Sequence, residues 1–442
     1  MQKTLIASTL ALLALTTSAM AEKVKFEYWY GLTGQLGDQV QATCDRFNAS
    51  QDKYEISCVS QGDYATALQN TIAAFRAKKH PTIVQGVEVS APDLMLSGQV
   101  YPAYKLMEDH GIDIDWDSYF PGIANYYADS EGRLWSMPFN SSTAMMYWNV
   151  DAYKSIGRDD APKTWEEYEQ VLRELKEAGS ACPAGYAPSS WVDLEQFSMV
   201  HGEPIATKNN GYDGLDAEVV FNTTLHAKHM KDIKRWIDEG LLVIKTRETG
   251  LSTRDAFAAG ECAHYFGSIA SHQAVTEQVG EGFLWDVAML PVYEGTERKN
   301  SVVGGASLWT LSGKTEEQYR GAAEYFKFLA KPESAEFWST VTGYIPVTDE
   351  GFDYLVKKGF YDERPYKGRE KAIESLTYTP VTPLTRGIRL GNFVQIRAEW
   401  TSQMQAVLSG QKTPQEALDD AVSRSNTILR KFERTYKGKT LP

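Results

Sequence analysis

The sequence predicts an α/β protein with mixed, mostly parallel sheets flanked by helices, divided into two or more lobes. Strand-like and helix-like segments alternate from the N-terminal side, which is the pattern of β-α-β units. The stretch from Pro81 to Val87 is almost continuously apolar, as expected of a strand buried on both faces of a parallel sheet. A chain of 442 residues is also too long for a single hydrophobic core.

The N-terminal segment has the pattern of a secretory signal peptide covering residues 1–21. Lys3 supplies a positive charge, Leu5 to Leu15 form an apolar run, and Ala19-Met20-Ala21 is a cleavage site of small and apolar residues. The apolar run is too short to span a bilayer. We therefore expect export to the periplasm as a soluble protein without membrane insertion.

Hydrophobic spacing predicts the first elements. Val24 to Trp29 and Tyr54 to Val59 are strand-like. The segments that follow these strands carry apolar side chains at helical spacing, namely Leu36, Val40, Cys44 and Phe47 in the first and Leu68, Ile72 and Phe75 in the second.

Capping boxes predict three later helices. In this motif a Ser or Thr is followed three residues later by Glu or Gln, and the chain has it at Thr164–Glu167, Thr315–Gln318 and Thr413–Glu416. No change of composition marks a linker, so we expect the lobes to be interwoven.

Charge and motifs limit the function. The net charge of −13 disfavours nucleic acid and anionic membranes as partners, and it requires local groups to hold any anionic ligand. The sequence has no nucleophile, phosphate-loop or zinc-protease motif, so it predicts neither an enzyme nor a cofactor. His226 and His229 could face one metal, but without a third ligand nearby a solvated helix face is the better interpretation.

The four cysteines follow an export signal, and an oxidising compartment favours disulfides. We predict Cys44–Cys58, which would link a helix to the next strand, and Cys182–Cys262. Four cysteines allow three pairings, and buried free thiols are the alternative.

Arg397 is the most informative residue for function. Phe393, Arg397, Trp400 and Met404 share one helical stripe, which places a guanidinium among apolar side chains. Burying that charge is costly unless an anion meets it, and its planar fork suits phosphate or carboxylate. The alternatives are an internal ion pair or a side chain that reaches solvent at the edge of the stripe.

Two further candidates follow strand-like runs. Glu88 comes after the apolar run that ends at Val87, where parallel sheets bind ligands, although it could simply be a helix N-terminal charge. Gly304 and Gly305 follow a short strand-like pair and could present backbone N–H groups to an anion, or could form a bulge.

Small polar and aromatic residues complete the candidate set. Ser141 and Ser142 lie between two strand-like stretches and indicate either a cleft lining or a bend. Trp191 lies in a loop where its ring could stack on an aliphatic ligand. Tyr64 and Tyr344 could offer phenol hydrogen bonds, although surface packing is the commoner role of such tyrosines.

Taken together, five segments of the chain resemble the periplasmic glycerol-3-phosphate-binding proteins of ABC importers, within the solute-binding class that includes maltose-binding protein. The similarity covers the chain from about Val24 to Phe432. The segments are PFNSST at 138–143, KNNGYDG at 208–214, GGASLW at 304–309, TGYIPVT at 342–348 and GIRLGNFVQIR at 387–397.

The resemblance implies a two-lobe type II binding-protein fold with three chain crossings, at PFNSS, around Ser268 to Ser271 and at Leu311 to Lys314. It divides the chain into a signal peptide (1–21), an N-terminal lobe (22–139 and 272–310) and a C-terminal lobe (140–271 and 311–442). It further implies a monomer that delivers its ligand to the transmembrane subunits of an ABC transporter.

The resemblance also implies roles for the site residues. Glu88 would hold glycerol hydroxyls and Trp191 would form a wall against the glycerol carbons. The phosphate would be met by Arg397, Tyr344, a serine (Ser141, Ser142 or Ser268) and the Gly305 amide, with Tyr64 alongside. The loop before Trp191 is shorter than the family pattern and has one tryptophan instead of two, so glycerophosphodiesters are included among the expected ligands.

Two other functions remain open at this stage. The same fold could bind a neutral oligosaccharide or polyol. A secreted hydrolase is the more remote alternative, because a pair of catalytic carboxylates need not be close in the sequence.

Overall fold

The computed structural model describes residues 22–442. The predicted signal peptide lies outside the described residues. Within 22–442, no helix is both long enough and apolar enough to cross a membrane.

Eleven strands are present in residues 22–442, all of them short. They are β1 Val24–Tyr30, β2 Tyr54–Ser60, β3 Ile83–Val87, β4 Val100–Tyr101, β5 Met137–Ser142, β6 Ala144–Asn149, β7 Ala184–Tyr186, β8 Leu242–Ile244, β9 His264–Ser268, β10 Trp285–Ala288 and β11 Gly304–Leu311.

The α-helices of the described chain range from 4 to 22 residues in length. They are α1 Gly34–Ser50, α2 Tyr64–Arg76, α3 Ala91–Ser97, α4 Ala103–Asp109, α5 Pro121–Tyr127, α6 Val150–Ser155, α7 Trp165–Glu177, α8 Phe197–His201, α9 Thr207–Asn210, α10 Leu225–Asp238, α11 Thr253–Ala258, α12 His272–Val279, α13 Glu316–Leu329, α14 Pro332–Val341, α15 Asp349–Lys357, α16 Glu370–Leu376, α17 Phe393–Leu408 and α18 Pro414–Thr435.

The strands form three sheets, and the predicted mixed α/β class is confirmed. A six-stranded sheet has the order β2-β1-β3-β11-β4, with β5 also paired to β11. A three-stranded sheet has the order β10-β6-β9, and β7 pairs with β8. Among the eleven strands of residues 22–442, β1 pairs in parallel with β2 and β3, and β7 pairs in parallel with β8. Antiparallel pairings are more numerous than the local strand–helix alternation predicted, because β11 runs against three neighbours.

Local sequence explains the predicted elements. β3 is buried at every position, as its apolar run predicted. All three predicted capping boxes are present at the starts of α7, α13 and α18, where the side chain of Thr164, Thr315 or Thr413 accepts a hydrogen bond from the backbone of the third helical residue.

Contacts between elements define two lobes. We call the residues packed on the six-stranded sheet the large-sheet lobe and those packed on the three-stranded sheet the small-sheet lobe. β5 belongs to the first sheet and β6 to the second, so the chain passes between the lobes at Thr143, next to the boundary predicted after residue 139.

Two other predicted boundaries differ from these contacts. β10 pairs with β6, so residues 285–288 belong to the small-sheet lobe and not with 272–310 in the N-terminal lobe. α13 packs on the large sheet, with the rings of Tyr325 and Tyr28 6.2 Å apart, so it does not belong with 311–442. Both errors arise because these segments pair with strands distant in sequence, which local spacing does not report.

Both predicted disulfides are present, Cys44–Cys58 and Cys182–Cys262. The first joins α1 to β2. The second joins the segment before β7 to the segment before β9. Its two cysteines are 80 residues apart, so it links parts of the small-sheet lobe that are distant in sequence.

The expectation of a solvated face for His226 and His229 was wrong, because both rings are buried in the small-sheet lobe. The indole N–H of Trp400 donates to His226 Nε2 at 3.1 Å, and the His229 ring stacks on Phe197 at 4.1 Å. Burial lowers the pKa of His226 to about 3, so it is neutral at physiological pH and acts as a core aromatic.

Glu169 on α7 organises an ion-pair network with α10. Its carboxylate accepts hydrogen bonds from Arg235 at 2.7 and 2.6 Å, from Arg173 at 2.6 Å and from the Trp236 indole at 2.8 Å. The bonds from Arg235 are the main cause of its lowered pKa of about 2. A carboxylate whose folded pKa lies below its unfolded value stabilises the fold above the unfolded value, and this stabilisation is lost as pH falls through the folded one.

We therefore expect Glu169→Gln to lower the free energy of unfolding by roughly 1–3 kcal/mol at pH 7. The difference from the parent protein should shrink as the pH falls from about 4.5 to about 2. Urea unfolding across that pH range measures it, with Glu177→Gln on the exposed end of α7 as the control. A destabilisation that stays constant with pH would contradict the role assigned to the network.

Candidate functional site

A cavity of about 250 Å³ lies between the two lobes. Eight of the ten predicted ligand residues line it, and the exceptions, Ser141 and Gly304, are sequence neighbours of residues that do. The lining consists of Leu36, Tyr64, Val87, Glu88, Ser142, Trp191, Ser268, Ala270, Ser271, Gly305, Tyr344 and Arg397.

Arg397 projects from α17 into this cavity and is held by two buried carboxylates. Its Nε and Nη2 donate to the two oxygens of Glu195 at 2.7 and 2.6 Å, and Nη2 also donates to Glu88. Nη1 makes no hydrogen bond to any residue of 22–442. The internal ion pair considered from the sequence is therefore present, and it leaves one edge of the guanidinium facing the cavity.

Electrostatics keep this arginine charged. Burial lowers the pKa of Arg397, but the charges of Glu195 and Glu88 outweigh burial and raise it above its usual value. Arg397 is the one basic side chain among the residues that line the cavity.

Glu88 begins the turn Glu88–Ser90, directly after β3 ends at Val87. Its side chain is 1% exposed. One carboxylate oxygen accepts from Arg397, whereas Oε2 is buried without a hydrogen-bond partner in residues 22–442. A buried acceptor without a donor is costly, so Oε2 is well suited to receive a ligand hydroxyl.

Trp191 and Glu195 share a π-helical turn, Ser190–Gln196, that runs into α8. π-helical turns are rare and often occur at functional sites. Here the turn brings Trp191 to the cavity wall and Glu195 to Arg397, while the indole N–H of Trp191 is buried without a partner among the described residues.

Sequence reasoning missed Glu195, although a signal was present. An acidic residue lies in an apolar stretch with Val192, Leu194 and Phe197, the same conflict that singled out Arg397. Burial raises the pKa of Glu195 to about 7, with Arg397 opposing the shift.

Gly304 and Gly305 act mainly through their lack of side chains. A Cβ on Gly304 would lie 2.3 Å from the Trp191 ring, so this glycine makes room for the indole. Gly305 has a φ of +113°, and a Cβ there would lie 1.9 Å from the backbone oxygen of Asn140. The two glycines thus let β11, β5 and the tryptophan meet closely at the floor of the cavity.

The polar stretch Asn140–Ser142 continues β5 as a buried strand, so it does not form a bend, and of its three residues Ser142 lines the cavity. The Oγ of Ser142, which lines the cavity, is 3.5 Å from the Gly304 carbonyl oxygen. Ser141 is fully buried beside it, and its Oγ has no hydrogen-bond partner in the described chain. The backbone N–H of Ile345 donates to the Ser141 carbonyl at 3.0 Å, which ties the Tyr344 segment to β5.

Asn140 positions Tyr64, a second contact that the sequence did not reveal. Its Nδ2 donates to the Tyr64 phenol oxygen at 2.7 Å, and its Oδ1 accepts from Gln85 at 2.8 Å. The Tyr344 ring stacks on Trp338 at 5.6 Å. Burial raises the pKa of both Tyr64 and Tyr344, so both phenols remain protonated and can donate hydrogen bonds.

Ser268 lies at the end of β9 and caps the turn Ile269–Ser271, with its Oγ accepting from the Ala270 N–H at 3.1 Å. Its hydroxyl hydrogen remains available to the cavity. Together, the cavity offers an arginine edge and two phenols as donors, a buried carboxylate oxygen as acceptor, and an indole as an apolar wall, which suits a small ligand with an anionic and a hydroxyl-bearing end.

Residues 42–353 match the model of the family described as bacterial extracellular solute-binding protein. The chain belongs to that family. It is 39% identical over 434 residues to the sn-glycerol-3-phosphate-binding periplasmic protein UgpB of Yersinia pseudotuberculosis, covering 96% of this chain and 97% of that protein. It is 38% identical over 441 residues to the UgpB protein of Escherichia coli strain K12, with 98% of each chain covered.

Solved structures show the same two-lobe, type II binding-protein fold, as predicted. The substrate-binding protein Lmo0181 of Listeria monocytogenes, in complex with cycloalternan, superposes with a TM-score of 0.75 at 15% identity, covering 92% of this chain and 99% of that one. UgpB of Mycobacterium tuberculosis, in complex with glycerophosphocholine, superposes with a TM-score of 0.69 at 17% identity, covering 93% and 98%.

Proposed function

We propose that this protein captures sn-glycerol-3-phosphate, and glycerophosphodiesters of similar size, in the cavity between its lobes. It does so in the periplasm and delivers the ligand to the transmembrane subunits of an ABC importer. Support for the ligand comes from relatives that carry this binding activity in their names over nearly the whole chain. A binding role without catalysis agrees with that family and with the absence of a catalytic motif in the sequence.

The observation that carries the proposal is Arg397, which lines the cavity together with Tyr64 and Tyr344 and whose Nη1 has no hydrogen-bond partner among residues 22–442. Charge-assisted hydrogen bonds from a guanidinium to phosphate are about twice as strong as neutral ones. Glu88 Oε2 would accept a glycerol hydroxyl, and Trp191 would cover the carbon chain. Closure of the lobes on the ligand is then favoured because both lobes contribute contacts.

A neutral polyol or oligosaccharide is the second candidate, and one observation favours it. Arg397 already has carboxylate partners in Glu88 and Glu195, so its charge is balanced without a ligand. The Listeria protein of the same fold is in complex with cycloalternan.

Titration calorimetry with a small ligand panel decides between these candidates. We expect heat of binding and an upward shift of the melting temperature with sn-glycerol-3-phosphate and glycerophosphocholine, and neither with glycerol or maltose. Stabilisation by the neutral compounds but not by the phosphoesters would replace the proposal with the second candidate. The same panel is incubated with the protein and examined for released inorganic phosphate or glycerol, and none is expected above a mock preparation.

A further inference from the structure

We infer that Glu195 makes anion binding at Arg397 proton-linked: when a phosphomonoester binds, the Glu195 carboxylate takes up one proton from solvent. Glu195 is a positioning residue, because it acts on the ligand through Arg397. The inference rests on the proposed function and adds to it a regulation by pH.

The Arg397 guanidinium is surrounded by more negative than positive groups. Glu88 and Glu195 both bond to Arg397, and their side chains are 1% and 0% exposed. With both carboxylates ionised the cluster carries a net charge of −1. A phosphomonoester above its second pKa of about 6 carries nearly two further negative charges.

The negative charges of the carboxylates and the phosphate have no further positive partner among the residues that line the cavity. The other residues that line the cavity contribute hydroxyls, a phenol pair, an indole and backbone, but no second cation. The ionisable groups that face the cluster from neighbouring elements are the phenols of Tyr126 and Tyr127 on α5, Tyr64 on α2 and Tyr344. Burial raises the pKa of all four, so none of them supplies or takes up charge near neutral pH.

A bound anion adds negative charge beside the buried Glu195 carboxylate and disfavours its ionised form. In the free protein burial raises the pKa of Glu195 to about 7. An anion bound at Arg397, to which Glu195 is hydrogen-bonded, raises this pKa further. Glu195 then takes up a proton at any pH that lies between its free and bound pKa values.

Glu195 fixes the orientation of the Arg397 side chain in addition to balancing its charge. It engages Nε and Nη2 of Arg397 together, and this two-point contact fixes the plane of the guanidinium so that Nη1 points to the cavity. Protonation of Glu195 removes its negative charge but leaves one carboxyl oxygen able to accept from the guanidinium, so Arg397 stays oriented while the charge opposing the phosphate is reduced.

The affinity for a phosphomonoester is expected to fall as the pH rises above about 7. Above about pH 7 Glu195 of the free protein is ionised, so binding requires a proton and the Kd rises by up to about tenfold per pH unit. Between about pH 7 and the second pKa of the phosphomonoester, about 6, the proton is already on Glu195 and the Kd becomes nearly flat.

The test is calorimetry at pH 8 in two buffers of different ionisation enthalpy, using sn-glycerol-3-phosphate and glycerophosphocholine. We expect uptake of about one proton with the monoester, and a smaller uptake with the diester, whose single charge does not titrate. In Glu195→Gln the uptake should fall close to zero and the Kd should change less than about twofold per pH unit.

Asp193→Asn is the matched control. Asp193 lies on the same turn and is also a buried carboxylate with its pKa raised by burial to about 7. It accepts from Tyr186 and from the Ser189 N–H, not from Arg397, so proton uptake should be unchanged.

The possible results of this calorimetry separate failure of the proton linkage from failure of the proposed function. Phosphoester binding without proton uptake in the parent protein overturns this inference and leaves the proposed function standing. Uptake that persists in Glu195→Gln places the proton on a group other than Glu195 and also overturns it. If the parent protein binds neither phosphoester, the proposed function fails and this inference fails with it. The parent measurement decides the matter even if the Gln variant does not fold.

Discussion

Arg397→Ala should abolish tight binding of sn-glycerol-3-phosphate. Truncating one partner of a buried, hydrogen-bonded charge pair typically costs about 2–5 kcal/mol of affinity, which corresponds to a Kd increase of roughly thirty- to several-thousand-fold. The loss has two sources here: the phosphate loses the Nη1 edge, and Glu88 and Glu195 add two uncompensated negative charges beside the ligand. Calorimetry on the purified variant measures the loss.

The same variant tests the internal role of the arginine. Removing one partner of a buried ion pair is destabilising by about 3–5 kcal/mol, so urea unfolding should show a weaker fold as well as weaker binding. Arg424→Ala, at an exposed pair with Glu399 on the neighbouring helices, serves as the control and should change neither. A folded Arg397→Ala protein with undiminished affinity would remove the basis of the phosphoester assignment.

The second large effect is expected from the Cys182–Cys262 disulfide. Cys182→Ser with Cys262→Ser should lower the free energy of unfolding by about 2–5 kcal/mol, because the bond closes a long loop and restricts the unfolded chain. The loop spans 80 residues, against 14 for Cys44–Cys58.

Removal of Cys44–Cys58 provides the matched comparison. On the chain-entropy relation the longer loop contributes about 1.5 kcal/mol more, so the Cys182–Cys262 double variant should be the less stable of the two in urea. Equal stability of the two double variants would show that strain or unfolded-state structure, and not loop length, determines the contribution of each bond.

The sequence predicted those site residues that conflict with their surroundings. Arg397 lies in an apolar stripe and Glu88 follows a buried strand, and both reach the cavity. Glu195 shows the same conflict but lies next to an ordinary polar loop, and recognising it required the π-helical turn that faces it toward α17.

The helices and strands could be predicted from the sequence, whereas the elements against which they pack could not. The capping box of α13 determines where that helix begins, but the same box would serve in either lobe, and only packing against β1 assigns it. β10 likewise has no local feature that distinguishes pairing with β6 from pairing with the larger sheet. His226 shows the same limit: its position on the helix was correct, and its environment depended on Trp400, which is remote in sequence.

The π-helical turn at Ser190–Gln196 makes the shape of the cavity wall depend on segment length as well as on residue identity. A wider helical turn accommodates one more residue per turn than an α-helix. Deleting a single residue there would restore α-helical winding and swing the indole out of line with the carboxylate four positions later. Because Glu195 also holds Arg397, a change of one residue in the length of this turn would alter both the cavity wall and the support of the arginine.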